Sequence, residues 1–378
     1  MSEGIYLDNH TITQPSPSAI ESMLPFYKEY WGTPLSLHQK GQELFGPIDQ
    51  SMSRIYEAIG ADFEDQFTLT ASGAEANAQV FFSTYIDFTR ETGRNHFLAP
   101  AIEDPSILLG LQRLEKLDCV CKLLAVDACG RLRPEVLEEA IKPRAALLSL
   151  SWANSLTGVI QPIADLARIC RDKGIRLHVD ASTVIGKLFF RFDDAGISYL
   201  TFDGDRFHAP KGTGGLFCRK DCPLHTLVAG SPNMNVGGLV ALGMAMQEAQ
   251  QNFDAVCTET ARLRDKFEEA IAQAIPKSCL FFQEAERLPN TSVIAFPGVS
   301  GETLLYALNR RGVYASIGGG NSQKLGAVLR SCGVDMALAA SAVSFALSYQ
   351  TQEDEIERAI AIITEAAQQA RRVTGGLL

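Results

Sequence analysis

The stretch Tyr199-Leu200-Thr201-Phe202-Asp203-Gly204-Asp205-Arg206-Phe207-His208-Ala209-Pro210-Lys211-Gly212 reads as a short apolar strand over residues 199–203 that runs into a polar loop and a Pro-Lys-Gly turn. Upstream, His178-Val179-Asp180-Ala181-Ser182 has the same form, a buried strand over 174–180 ending on a carboxylate. Working outward, further strands are expected at 67–70, 96–101, 119–125, 145–152 and 214–218. Amphipathic helices are expected between them at 75–91, 106–117, 134–141 and 162–173. Apolar runs alternating with helices define an α/β domain built on a mostly parallel sheet of seven strands. Such sheets bind ligands at the carboxyl ends of their strands, which is where Asp180 falls.

After residue 236 the pattern changes. Residues 236–275 read as one long helical stretch leaving the large domain, and 291–296 and 312–316 as strands of a second layer. A final helix opens on Thr351-Gln352-Glu353-Asp354 and has Arg371-Arg372 near its far end, matching the helix dipole at both termini. The expected division is a large α/β domain over 14–250 and a smaller α+β domain made of 1–13 and 251–378.

Composition excludes several classes. The 378 residues suffice for a large core without disulfide or metal support; 46% are hydrophobic and 21% charged, as in ordinary globular proteins. The net charge of −10 opposes nucleic acid or an anionic membrane as partner. Met1-Ser2-Glu3-Gly4 carries no basic or cleavable apolar segment, so a cytoplasmic protein is expected. The nine cysteines are scattered and lack paired zinc spacing, so reduced thiols and no metal site are expected. Cys119 and Cys121 share one face of a strand, a weakly signalled redox pair.

Candidate chemistry gathers at the carboxyl edge of the sheet. Ser72-Gly73-Ala74, between a strand and a helix, lets backbone amides approach an anion; a plain tight turn is the alternative. Asn154, after the strand at 145–152, either orients a ring oxygen or caps a polar turn.

Taken together, the ordered elements Tyr6-Leu7-Asp8-Asn9, Thr33 through Gly41, Asn154 through Ile163, His178-Val179-Asp180-Ala181, Val184-Ile185-Gly186-Lys187-Leu188, Pro210-Lys211-Gly212, Asn235-Val236, Leu288-Pro289-Asn290-Thr291 and Phe296-Pro297-Gly298-Val299 resemble the NifS-like cysteine desulfurases of the class V aminotransferase family. The resemblance covers nearly the whole chain. It implies a fold type I, pyridoxal phosphate-dependent transferase-like architecture and a homodimer with active sites near the subunit interface.

The positions that carry the family's chemistry depart from its pattern. The Schiff-base lysine falls on Arg206, whose guanidinium stays protonated and cannot serve as the nucleophilic amine. The ring-stacking histidine falls on Asp104, and the phosphate-binding serine and histidine fall on Asp203 and Asp205. One carboxylate about 4 Å from one phosphate charge, at an effective dielectric near 20, costs roughly 4 kcal/mol. Glu75 directly follows Ser72-Gly73-Ala74 where a threonine is expected, and Asn233 replaces the threonine contributed by the second subunit. The sulfur-accepting cysteine falls on Asn321, and the substrate-carboxylate arginine near Ser344. Lys211 belongs to a turn that the family possesses as well, which gives it a structural or surface role. Asp180 and Asn154 persist, and Arg206 is expected to pair with Asp180, Asp203 or Asp205.

On these residues the expectation is a cysteine desulfurase homologue that binds no cofactor and has lost catalysis. It would act as a dimeric scaffold or regulator for a protein partner in sulfur transfer or iron–sulfur assembly. Two alternatives stand beside it: an enzyme using Asp104, Asp180, Asp203, Asp205 and Arg206 as an acidic, metal-binding pocket, and an active pyridoxal phosphate-dependent cysteine desulfurase.

Overall fold

The computed structural model describes residues 4–222, 224–228, 230, 234–320 and 322–375. Its large sheet takes strands β2 (Gln66–Thr70), β3 (His96–Pro100), β4 (Val120–Leu124), β5 (Ala145–Ser151), β6 (Arg176–Asp180), β7 (Tyr199–Asp203) and β8 (Gly214–Cys218), in the spatial order β2-β8-β7-β6-β5-β3-β4. The five strands from β7 across to β4 run parallel, whereas β8 is antiparallel to both β7 and β2. All seven expected strands are present. β5 and β8 are buried along their whole length, consistent with a sheet covered on both faces.

One face of the sheet packs on a core that includes Leu148, Leu150, Val179, Leu200, Phe202 and Phe217; the other includes Phe97, Leu147, Tyr199 and Leu216. Helices α1 (Phe45–Ile59), α2 (Gly73–Ser83), α3 (Pro105–Glu115), α4 (Ile163–Asp172) and α5 (Val236–Gln251) cover it. Expectation and structure differ at two helices. The stretch 75–91 is α2 followed by a wide π turn at Thr84–Thr89. The long helix over 236–275 is broken: α5 stops at Asn252, whose Nδ2 donates back to Glu248 O at 2.9 Å, and the chain restarts into α6 (Ala261–Ala274) after a second π turn. A side-chain amide competing for backbone carbonyls accounts for the break.

The C-terminal part builds a three-stranded antiparallel sheet, β12 (Ala342–Ala346), β10 (Thr291–Ala295) and β9 (Cys279–Phe281), flanked by α6, α7 (Gly301–Asn309) and the terminal α8 (Glu353–Gly375). Residues 312–316 join that sheet only at one point: β11 (Val313–Tyr314) pairs in parallel with β1 (Ile5–Tyr6), and Ser316 then bridges Ser344 of β12 through hydrogen bonds of 3.1 and 2.8 Å. The pairing with β1 delivers the N-terminal segment to the carboxyl edge of the large sheet.

One buried ion pair joins the layers. Arg287 Nη1 and Nη2 donate to Glu268 Oε1 and Oε2 at 2.6 and 2.9 Å, and Nη1 also donates to Thr291 O at 3.0 Å. The two side chains are 7% and 3% exposed. Removing one member strands the other charge, which costs about 3–5 kcal/mol. R287M should therefore lower unfolding free energy in urea by about that amount, with R287M/E268L recovering most of the loss. A single variant as stable as wild type would contradict the assignment.

Candidate functional site

The carboxyl ends of β5, β6 and β7 open onto a cleft of about 360 Å3 lined by Ser72, Gly73, Asp104, Asp180, Asp203 and Arg206 with neighbouring hydroxyls of Ser106, Ser151, Ser182 and Thr183. The expected site residues Ser72, Gly73, Asp104, Asp180, Asp203 and Arg206 thus come together. No lysine, cysteine or histidine lines the cleft among the described residues. Asn321 and Asn233 lie outside the described residues.

Asp180 is held by neutral donors. Ser182 N and Oγ donate to its Oδ1 at 2.9 and 2.5 Å, and Asn77 Nδ2 donates to its Oδ2 at 2.9 Å. Behind Asn77 the network continues into the sheet: Thr201 Oγ1 donates to Asn77 Oδ1 at 2.5 Å and lies 2.8 Å from His178 Nε2. With the threonine proton committed, Nε2–H donates to Thr201, and in the neutral ring Nδ1 accepts from Ser149 Oγ at 2.8 Å. That pattern needs a neutral imidazole, and burial pushes the His178 pKa down to about 4.

Arg206 is 7% exposed, sits on a single 3-10 turn (Gly204–Arg206) after β7, and donates through Nη1 to the carbonyl oxygen of His10. Its Nε is 4.0 Å from Asp205 Oδ1. The expected pairing is therefore with Asp205 at the outer limit of an ion pair. The expected alternative, Asp180, is already satisfied by Ser182 and Asn77. Thr13 N and Oγ1 both donate to Asp205 O at 2.8 Å, and His208 N donates to Thr13 Oγ1 at 2.7 Å, so the N-terminal segment is latched across the Arg206 loop. His10 Nε2 lies 3.3 Å from Asp8 Oδ1, but burial and then Arg206 push the imidazole down to about 3, so the contact is not an ion pair.

The remaining carboxyls are pushed up by desolvation. Asp104 rises to about 6, opposed mainly by Arg206 and by the Ser155 hydroxyl, which donates to Oδ1 at 2.9 Å. Asp203 is raised by burial and then by the charge of Asp205, whereas the Gly73 amide and Arg206 favour its ionised form. Asp205, also raised by burial, shares a hydrogen bond with Asp203, so the pair resists losing both protons.

Sequence reasoning missed Glu103. It is 3% exposed and accepts from Ser151 N and Oγ at 2.9 and 2.7 Å, and burial pushes it up to about 8. Its neighbours in sequence, Ala101-Ile102-Glu103-Asp104, carry no burial signal because the strand has already ended. Lys187 was visible only as part of a resemblance motif. Its Nζ donates to Arg206 O at 3.2 Å, burial pushes its pKa down to about 8, and it lines a separate small cavity with His208, Glu248 and Tyr349. Lys211 is exposed. Of the two roles expected for Asn154, the structure shows the turn cap. Asn154 Nδ2 donates to Ile102 O at 3.0 Å while its Oδ1 accepts from Leu156 N and Thr157 N at 3.1 and 3.0 Å. It is thereby a turn cap away from the cleft lining. Ser344 is fully buried in β12 with Oγ donating to Leu156 O at 2.6 Å.

The chain matches the family model described as aminotransferase class-V over residues 5–227, and it belongs to that family. It is 31% identical to a cysteine desulfurase of Gluconacetobacter diazotrophicus, over 95% of this chain and 92% of that protein. It is 30% identical to the cysteine desulfurase NifS of Azotobacter vinelandii, over 98% of this chain and 94% of that protein. Among solved structures, a NifS-like protein superposes with a TM-score of 0.90 at 27% identity, covering 97% of this chain and 100% of that one. A NifS-like protein from Rickettsia africae ESF-5 superposes with a TM-score of 0.86 at 23% identity, covering 97% and 100%. The fold is that of the fold type I, pyridoxal phosphate-dependent transferases.

This family membership corrects the expectation that no cofactor is taken, because the cysteine desulfurases to which the chain is related are pyridoxal phosphate-dependent. The residues present fit that group only in part. Asp180 and the start of α2 stand at the cleft, but its described lining holds the Arg206 guanidinium and no amine, and the Asp203 side chain lies against Gly73. The set does not fit a lysine-linked cofactor.

Glu103 supplies a pH test. Its folded pKa, about 8, lies above its ordinary value of 4.5; its contribution is therefore complete below the ordinary value and lost as pH rises through about 8. In that window the native state holds a proton that the unfolded chain has released, which lowers stability by up to about 1.4 kcal/mol per pH unit. E103Q should gain stability relative to wild type between pH 5.5 and 7.5 in urea unfolding. A constant difference across that range would contradict the protonated Glu103.

Proposed function

We propose that this protein is a member of the cysteine desulfurase family that does not itself release sulfur from cysteine and serves as a dimeric scaffold or regulator, with a protein partner in sulfur transfer or iron–sulfur assembly. The observation that carries this reading is the cleft lining: carboxylates, hydroxyls and one guanidinium, with no amine, imidazole or thiol among the described residues. Desulfuration in the manner of the family needs an amine to link the cofactor and move a proton, and a thiolate to accept sulfur. Arg206 stays protonated, and the nearby amine of Lys187 lies behind the loop on the carbonyl of Arg206.

Supporting a dimer, Tyr27, Trp31, Leu35 and Leu37 are 58, 68, 61 and 93% exposed within one segment of the chain, apolar surface of the kind that interfaces cover. The division into residues 14–250 and residues 1–13 with 251–378, and a cytoplasmic setting, belong to the same proposal; no helix among the described residues is long and apolar enough to cross a membrane. W31D/L37D should convert a dimer to a monomer in sedimentation velocity, and an unchanged sedimentation coefficient would remove this patch as the interface.

A second reading, an active pyridoxal phosphate-dependent cysteine desulfurase, is favoured by the names of the relatives at about 30% identity. A metal-binding acidic pocket finds no support, since no group of three or more His, Cys, Asp or Glu among the described residues is placed to hold an ion. Sulfide release from cysteine, measured with added pyridoxal phosphate, separates the first two readings. Wild type and R206K should both stay at the no-enzyme background, because restoring the amine leaves Asn321 without a thiol. Turnover by wild type that L-cysteine saturates would establish the desulfurase reading.

A further inference from the structure

The start of α2 has the form of an anion seat whose positions are taken by the chain's own carboxylates. Ser72 Oγ accepts from Glu75 N at 3.2 Å, and Glu75 Oε2 reaches back past the N-cap to accept from Ala71 N at 2.8 Å, a relative of the capping box. Ala76 N is bonded to Ser72 O at 3.1 Å. The amides of Gly73 and Ala74 remain for an incoming anion.

Asp203, projecting from the end of β7, lies against the first of these. A Cβ built on Gly73 would stand 3.0 Å from Asp203 Cβ and 3.4 Å from its Oδ2. The Gly73 amide favours the ionised form of this carboxylate. Asp203 is fixed in place by its own backbone, because Asp203 N donates to Ser182 Oγ at 2.9 Å. Asp205 stands behind it, and Asp104 and Asp180 face the same cleft. Arg206 is the only cation lining the cleft among the described residues, and its Nη1 is committed to the His10 carbonyl.

We propose that Asp203 is a built-in anion occupying the seat at the start of α2, and that it makes the cleft discriminate against phosphate-bearing ligands in favour of uncharged or amine-bearing ones. A phosphate placed on the Gly73 and Ala74 amides would meet the Asp203 carboxylate at contact distance, with Glu75 already neutralising part of the helix dipole. The cradle that gives a phosphorylated ligand its affinity is thereby converted to a barrier. The inference goes beyond the scaffold reading: a wild type that released no sulfide yet preferred the phosphorylated compound would overturn this inference and leave that reading standing.

The test compares pyridoxine with pyridoxine 5′-phosphate, a pair differing only in the phosphate and lacking an aldehyde that surface lysines would capture. Binding constants for wild type, D203N and D203S are measured by equilibrium dialysis at pH 8 and constant ionic strength, with circular dichroism confirming the fold. Wild type is expected to bind the phosphorylated compound no more tightly than pyridoxine. Either folded variant should shift the ratio by at least about ten-fold toward the phosphorylated compound. A wild type preferring the phosphorylated compound ten-fold or more, or a folded variant with the wild-type ratio, overturns the proposal. Where wild type binds neither compound measurably, acquisition of pyridoxine 5′-phosphate binding by the variants decides for it, and its absence against.

Discussion

Arg206 is a permanently charged guanidinium, 7% exposed, set among carboxyls that desolvation pushes toward neutrality. A cation that cannot discharge in that position does two things. It pulls down the pKa of Asp8, Asp104, Asp203 and Asp205 against their burial, which offsets part of the cost of gathering carboxyls in one cleft. It also ties the loop after β7 to the N-terminal segment through the His10 carbonyl, alongside the Thr13 bonds to Asp205 and His208. A lysine at the same position would reach neither the carbonyl nor Asp205 with the same fork geometry. The substitution is built into the packing and is not a loose side chain in an otherwise unchanged pocket.

Asp180 shows how the rest of the site has adjusted. A carboxylate at the end of a buried strand needs donors, and here they are neutral: Ser182, and Asn77 at the head of a chain running through Thr201 to His178. Its hydrogen-bond partners are thus supplied from within the protein. The same economy recurs at the start of α2, where Ser72, Glu75 and Asp203 meet the helix amides internally. Polar groups at the sheet edge thus have intramolecular partners within the architecture that the chain shares with its relatives.

The large sheet was legible because buried parallel strands leave dense apolar runs such as Ala145–Ser151 and Tyr199–Asp203. The break at Asn252 was not, since a single amide turning onto the Glu248 carbonyl leaves helical periodicity intact on both sides. The pairing of β11 with β1 is equally silent in sequence, because two-residue strands carry too little pattern to specify a partner. Within the site, the positions of Arg206, Asp180, Asp104 and Asp203 followed from the order of motifs along the chain. Whether a polar side chain faces the cleft or the main chain did not. Asn154 caps its own turn, Glu103 is buried at the end of the Ser151 strand, and Lys187 lies on the far side of the Arg206 loop. Such orientations depend on loops that only tertiary packing defines.

The central claim of the proposed reading is that the described residues lining this cleft supply no amine for the covalent link on which the family's chemistry rests. The most direct measurement is borohydride reduction of the protein after incubation with pyridoxal phosphate, followed by peptide mapping of the reduced adduct. The account predicts no site-specific pyridoxyl-lysine, with labelling no greater than that of exposed lysines in unrelated proteins. A stoichiometric adduct on Lys187 or Lys211, with an absorbance band near that of a protein-bound aldehyde conjugate before reduction, would show that the amine has moved and would contradict it.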